Sequence, residues 1–132
     1  MIVVDSSALV AILDHEPDAS AFATIIAKAS QLLMSAVNVH ETGMVMRGRH
    51  GEAAVARMWR FLHVVNDFQI VSFDESQAIQ ALAAFGRYGK GIDPSARLNL
   101  ADCAAYALAK SSNAPLLFKG GDFAATDVGV AL

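Results

Sequence analysis

The feature that most constrains this chain is the alternation of its apolar segments. Short β-branched or leucine-rich runs alternate with longer segments whose apolar residues recur every three or four positions. The short runs suit strands buried on both faces, and the longer segments suit amphipathic helices. Strands alternating with helices require crossover connections, which set the strands parallel in one sheet with helices on both faces. Met1–Val4 is the first such run and ends at Asp5. Ser6 then offers an N-cap to a helix with Leu9, Ile12 and Leu13 on one side, and Pro17 fits the first turn of a second helix that buries Phe22, Ile25 and Ile26. Gln31–Ser35 predicts a second strand. A helix from about Asn38 to Arg49 follows, and beyond Gly51 another carries Val55, Met58, Trp59 and Leu62 on one face.

In the second half, Phe68–Phe73 predicts a third strand, and Asp74 opens a long Ala-rich helix to about Tyr88. The stretch GRYGKGIDPS is a loop, Asn99 or a residue near it begins the helix LADCAAYALAK, and Pro115–Phe118 predicts a fourth strand. Lys119–Asp127 is expected as a loop or short helical turn and Val128–Leu132 as a fifth strand. No repeat, low-complexity tract or linker interrupts the pattern, so residues 1–132 are expected to form a single domain. The predicted fold is a three-layer α/β/α domain around a central, mostly parallel sheet of four to five strands.

Composition narrows the setting. One cysteine, Cys103, excludes an internal disulfide framework and fits a reducing cytoplasm. The longest stretch without a charged residue runs from Ala29 to His40, whereas a membrane-spanning helix needs about 18 residues or more, so no membrane segment is expected. The N-terminus has no basic segment and an acid at position 5, unlike a signal peptide. Two features stand out: a mean hydropathy of +0.40, and a net charge of −3, the wrong sign for a simple nucleic-acid binder.

Position explains the charge. Asp5 closes the first strand, Glu41 lies on the first turn of the helix after the second, and Asp102 lies in the first turn of the helix before the fourth. Asp122 follows the fourth strand in GGDF, with Asp127 close behind. Ligands of open parallel sheets bind beyond the carboxyl ends of the strands. Asp5 follows Ile2, Val3 and Val4, and Asp102 sits in LNLADCAAYALA; burying such carboxylates is costly unless they are paired or meet a metal. Each acid alone has a plain alternative as a cap or a partner for a helix dipole. Together they favour a divalent cation, and hard oxygen ligands point to Mg²⁺ or Mn²⁺. Such a site attracts phosphate oxygens, so the expected reaction is hydrolysis at phosphorus.

MIVVDSSALVAIL, the helix bearing Glu41, RLNLADCAAYALA and PLLFKGGDFAATDV together resemble PIN-domain ribonucleases of the VapC toxin type. The resemblance covers nearly the whole chain in the family's motif order. It implies an endoribonuclease that hydrolyses RNA phosphodiester bonds with Mg²⁺ (or Mn²⁺) and serves as the toxin of a type II toxin–antitoxin pair. It places the family's four acids on Asp5, Glu41, Asp102 and Asp122. Asp5 and Asp102 are then the primary metal ligands, Asp122 completes the shell, and Glu41 orients or deprotonates the attacking water. Ser7 matches the small polar residue that lines the site, and Thr126 and Asp127 match the TD closing the last motif. The fourth role stays open between Asp122 and Asp127. The implied partners are RNA, a second copy of the chain, and a cognate antitoxin lying over the active-site groove. A housekeeping RNA-processing PIN nuclease is the alternative within enzymes, and a catalytically silent PIN-fold binding module is the alternative outside them; the intact quartet argues against silence.

Other motifs fail on inspection. His40-Glu41 begins like a zinc-protease motif, but Met44 stands where the second His must be. GRYGKG lacks the residues of a phosphate-binding P-loop, and Ser7 replaces the second Asp of a haloacid-dehalogenase-like phosphatase. Cys103 is expected to pack as a small hydrophobe. Basic residues gather in two segments, one with Arg47, Arg49, Arg57 and Arg60 and one with Arg87, Lys90 and Arg97. Of these, Arg47, Arg49, Arg87, Lys90 and Arg97 are expected to hold RNA phosphates. The high apolar fraction is expected to serve a core plus a partner-binding surface.

Overall fold

A computed structural model describes residues 1–132. In chain order the elements are β1 (Ile2–Val4), α1 (Ser6–Leu13), α2 (Ala19–Lys28), β2 (Leu32–Ser35), α3 (Ala36–His50), α4 (Glu52–Arg60), β3 (Phe68–Val71), α5 (Glu75–Tyr88), α6 (Leu100–Ser111) and β4 (Leu116–Leu117). A π-helical turn, Phe61–Val65, extends α4, and a 3₁₀ turn, Asp122–Ala125, follows β4. The four strands form one sheet in the order β3-β2-β1-β4, with every ladder parallel.

Alternation along the strands divides the core between the two faces. Ile2, Val4, Leu32, Met34, Phe68 and Leu117 pack against α1, α2, α3 and α4. Val3, Leu33 and Leu116 pack against α5 and α6. The result is the expected three-layer α/β/α arrangement. The chain passes from β1 to β2 to β3 on one side and then returns to place β4 on the other side of β1. Such a reversal opens a crevice at the carboxyl ends of the two flanking strands. Asp5 ends β1 and the Lys119–Asp127 segment follows β4, so both border it.

Local chemistry moves several boundaries from their expected places. Asp5, not Ser6, caps α1, because its carboxylate accepts the Ser7 N–H. Pro17 lies ahead of α2, which starts at Ala19 after Asp18. α3 starts at Ala36, earlier than expected, because the Ser35 hydroxyl accepts the Val37 N–H at 3.2 Å. Glu41 therefore stands on the second turn of α3, not the first. The expected fifth strand reduces to one bridge, Leu116 to Val130, as β4 itself is only two residues long. On α4, Ala54 and Met58 are buried, but Trp59 is 45% exposed and stacks on His63 with ring centroids 5.8 Å apart. No helix is long and apolar enough to cross a membrane.

Candidate active site

Asp5 lies at the end of the central strand and is 3% exposed. Its backbone N–H donates to the Leu117 carbonyl at 2.9 Å, which locks the end of β1 to β4. Its Oδ2 accepts the Ser7 N–H at 2.9 Å and the Ser7 hydroxyl at 2.6 Å. The Ser7 oxygen in turn accepts the Lys119 N–H at 2.9 Å. Ser7 thus links Asp5 to the loop that carries Asp122. The Lys119 ammonium turns away, pairing with Glu16 and, at 3.1 Å, with Asp18.

Asn38 forms the floor of the site. It is 0% exposed, and its Nδ2 lies 3.4 Å from Asp5 Oδ1, 2.9 Å from Ser6 Oγ and 3.1 Å from the Ala101 carbonyl. One amide group therefore joins the first turns of three helices: α1 beside Asp5, α3 one turn before Glu41, and α6 beside Asp102. Its Oδ1 is buried without a hydrogen-bond donor. Sequence reasoning missed this residue; its one signal is a polar side chain set between Val37 and Val39.

Asp102 is held by a reciprocal cap. Its N–H donates to Asn99 Oδ1 at 2.9 Å, and its Oδ2 accepts the Asn99 N–H at 3.0 Å. The expected helix start at Asn99 is confirmed by this box. Glu41 is half-buried on α3, and Asp122 is exposed at the start of the 3₁₀ turn.

Electrostatics shows that these acids share one field. Burial pushes the Asp5 carboxyl up to about 7; the Ser7 hydrogen bonds oppose this, while the charges of Asp102 and Glu41 add to it. Asp102 is pushed up to about 6, again chiefly by burial, with the Asn99 bond opposing and Asp122 and Glu41 adding. No three His, Cys, Asp or Glu side chains stand close enough to clasp a metal ion by themselves. A cation here would need other oxygens, such as water, to complete its shell, as Mg²⁺ ordinarily does.

Other candidate residues fall elsewhere. Asp127 accepts the Tyr106 hydroxyl and pairs with Lys110 at 3.2 Å and Arg87 at 4.0 Å; the Tyr106 bond comes first in holding its carboxyl below the usual range. Asp127 thus fastens the end of this segment to α6 and α5, and of the two late acids Asp122 is the one whose charge acts on Asp102. The Thr126 hydroxyl donates to the Phe123 carbonyl at 2.7 Å, closing the 3₁₀ turn. Cys103 is buried, and burial pushes its thiol up to about 11, so it packs as expected and is no nucleophile.

The two basic segments part company. Arg47 pairs with Glu52 at 2.7 Å, and Arg49 pairs with Asp14 at 2.6 Å beside His50. Asp14 caps the end of α1 remote from Asp5, so Arg49 is drawn to that end and away from the acids. α5 and α6 run antiparallel, with Gln77 bonded to Ser111 and Tyr88 packed on Tyr106. Arg87, Lys90 and Arg97 therefore lie at the same end of the molecule as Asp102. Arg87 is held over the Tyr88 ring, while Lys90 and Arg97 make no ion pair within the chain.

Comparison with known proteins agrees with the fold and the order of motifs. A profile of the PIN domain matches residues 2–129. Ribonuclease VapC of Mycolicibacterium smegmatis is 44% identical over 126 residues, covering 96% of each chain. Among solved structures, Mycobacterium tuberculosis VapC20, described as a sarcin-ricin loop cleaving toxin, superposes with a TM-score of 0.82 at 16% identity, covering 100% of this chain and 98% of the other. A chain of a toxin–antitoxin complex from Klebsiella pneumoniae gives 0.72 at 19% identity, covering 96% and 93%. With a profile match from residue 2 to residue 129 and a VapC relative aligned along almost its full length, this chain belongs to the PIN-domain family and to its VapC branch.

Proposed function

We propose that this chain is a divalent-metal-dependent endoribonuclease, the toxin of a type II toxin–antitoxin pair, acting in the cytoplasm. The observation that carries the reading is a nearly fully buried carboxylate, Asp5, held at the switch point of a parallel sheet within the field of Asp102 and Glu41. A relative named ribonuclease VapC supports RNA as the substrate, and the structural likeness to a chain of a toxin–antitoxin complex supports an antitoxin partner. Self-association into a homodimer belongs to the same reading.

The donor set fits Mg²⁺ or Mn²⁺. All the groups are hard oxygens, Asp5 and Asp102 are both raised chiefly by burial and further by neighbouring acids, and the Asn38 amide whose Nδ2 donates to Asp5 keeps a buried Oδ1 with no donor of its own. Asp5 and Asp102 would hold the ion, with Asp122 and Glu41 around it. The ion supplies positive charge to phosphate oxygens as negative charge develops on them. Ser7 keeps the Asp5 Oδ2 lone pairs directed, Asn38 keeps Oδ1 in place, and Asn99 orients Asp102. Glu41, half-buried on α3, orients the attacking water and takes up its proton. Lys90 and Arg97 receive the flanking RNA phosphates.

Mapping the cleavage ends of total RNA with the wild-type chain and with Asp102→Asn tests the function directly. New ends are expected for the wild type with Mg²⁺ and none above background for the variant; identical profiles would remove the nuclease reading. The same assay separates the two late acids. Asp122→Asn is expected to slow cleavage by roughly a hundredfold, while Asp127→Asn stays within about threefold of wild type because its pairs are exposed and structural. Equal losses for both variants would return Asp127 to the site.

A further inference from the structure

The loop that carries Asp122 is held firmly on one side and loosely on the other. Asp122 is exposed, so its place is set by the backbone around it. On its far side Phe123 is 3% exposed and packs on Phe118 with ring centroids 5.1 Å apart, while its carbonyl accepts the Thr126 hydroxyl. On its near side stand Gly120 and Gly121, and Gly120 has φ +100°, a conformation that side chains rarely adopt. Such a pair has wide backbone freedom and transmits little restraint by itself. The first anchored residue before it is Lys119.

Lys119 is anchored twice. Its N–H donates to the Ser7 hydroxyl oxygen, and that hydroxyl donates to Asp5, so this residue links the Asp122 loop to the end of β1. Its ammonium pairs with Glu16 and, at 3.1 Å, with Asp18, both in the turn between α1 and α2. That turn is stiff. His15 is left-handed at φ 52°, the Glu16 N–H donates to the Ala11 carbonyl at 2.9 Å, and Pro17 fixes the backbone between the two carboxylates. Asp18 stands at the N-cap of α2, where an aspartate ordinarily accepts a backbone N–H. Its side chain makes no cap bond and faces Lys119 instead. Two carboxylates around one ammonium leave Lys119 no net positive charge to offer RNA. The pairs are partly exposed, and exposed pairs add little to overall stability. Their effect is on position, and a displacement of about 1 Å can cost a reaction about a hundredfold.

We propose that Lys119, clamped by Glu16 and Asp18, is a positioning residue that sets the spacing of Asp122 from Asp5; this rests on the nuclease reading of the site. Lys119→Met is expected to lower kcat for RNA cleavage about thirtyfold while KM stays within about twofold, and Lys119→Arg to recover most of that loss. Glu16→Gln/Asp18→Asn is expected to match Lys119→Met, and the triple variant to lose no more than either, because all three act as one unit. Melting temperatures are expected to stay within about 5 °C of wild type. In the metal-free protein, exchange of the Lys119 N–H, followed by NMR, is expected to quicken about tenfold in Glu16→Gln/Asp18→Asn. A raised KM with unchanged kcat in Lys119→Met would mean that the ammonium touches RNA itself and would overturn the clamp. Full activity and unchanged exchange in Glu16→Gln/Asp18→Asn would overturn it as well. A wild type that leaves RNA intact overturns the nuclease reading instead, and the Lys119 exchange, which needs no RNA, tells the two failures apart.

Discussion

Replacing Asp5 by asparagine is expected to stop RNA cleavage and to raise the melting temperature of the metal-free protein at neutral pH. The two effects have one cause. Asp5 is buried in the field of Asp102 and Glu41, and its carboxyl is pushed up to about 7 from an ordinary value of 3.8. Between those limits the folded chain binds this proton more tightly than the unfolded chain. Stability from this group is therefore full below about pH 4 and is lost as pH rises through about 7. The loss amounts to about 4 kcal/mol once Asp5 is ionised. Asparagine cannot ionise, so it avoids that loss, although its amide meets the Asn38 amide less favourably than a carboxylate does. A net gain of about 2 kcal/mol and a rise of about 5–10 °C in melting temperature are expected at pH 8 in EDTA. At pH 4, where Asp5 stays protonated in the folded chain and the ionisation loss is absent, the variant is expected to melt below the wild type by a comparable margin. Adding Mg²⁺ is expected to stabilise the wild type and leave Asp5→Asn unchanged. Cleavage by the variant is expected to fall by roughly a thousandfold. A variant that melts lower than wild type at pH 8, or that cuts RNA normally, would contradict the account.

The same physics explains which parts of the site were visible in the sequence. An acid after IVV or within LNLADCAAYALA is conspicuous because carboxylates are costly in apolar surroundings. The alternation of apolar runs likewise announced a parallel sheet, whose carboxyl edge is where such acids meet. Asp102 and Asn99 are three residues apart, so their reciprocal cap is local and legible. Long-range placement was not. Asn38 looks like a helix-start residue until β1, α3 and α6 converge on it. Arg49 looks like a phosphate ligand until Asp14, at the far end of α1, is found against it at 2.6 Å. Asp127 seems interchangeable with Asp122 until Tyr106 and Lys110 claim it. Trp59 shares a helical stripe with Met58, yet the groove between α3 and α4 leaves it 45% exposed. In each case the deciding partner lies far away in the chain, where periodicity carries no information.

Asn38→Ala provides the sharpest check on the floor of the site. The substitution removes a fully buried amide whose Nδ2 serves Asp5, Ser6 and the Ala101 carbonyl. It leaves those oxygens without that donor in a place water enters with difficulty, which costs about 2–3 kcal/mol. Urea unfolding is expected to register that loss, with a fall of about 8–12 °C in melting temperature. The catalytic consequence has a different origin. Asn38 ties together the elements that carry Asp5, Glu41 and Asp102, so its loss is expected to loosen their spacing rather than remove a reacting group. At temperatures where the variant is folded, kcat is expected to fall about tenfold or more while KM for RNA changes little. Mg²⁺ is expected to bind more weakly in a thermal-shift titration. Asn38→Ser, which keeps a small donor, is expected to recover part of both losses. Should Asn38→Ala lose stability yet retain full kcat when folded, the amide would be a core hydrogen bond and nothing more. Should it keep both, the three helices are held together by something other than this one side chain.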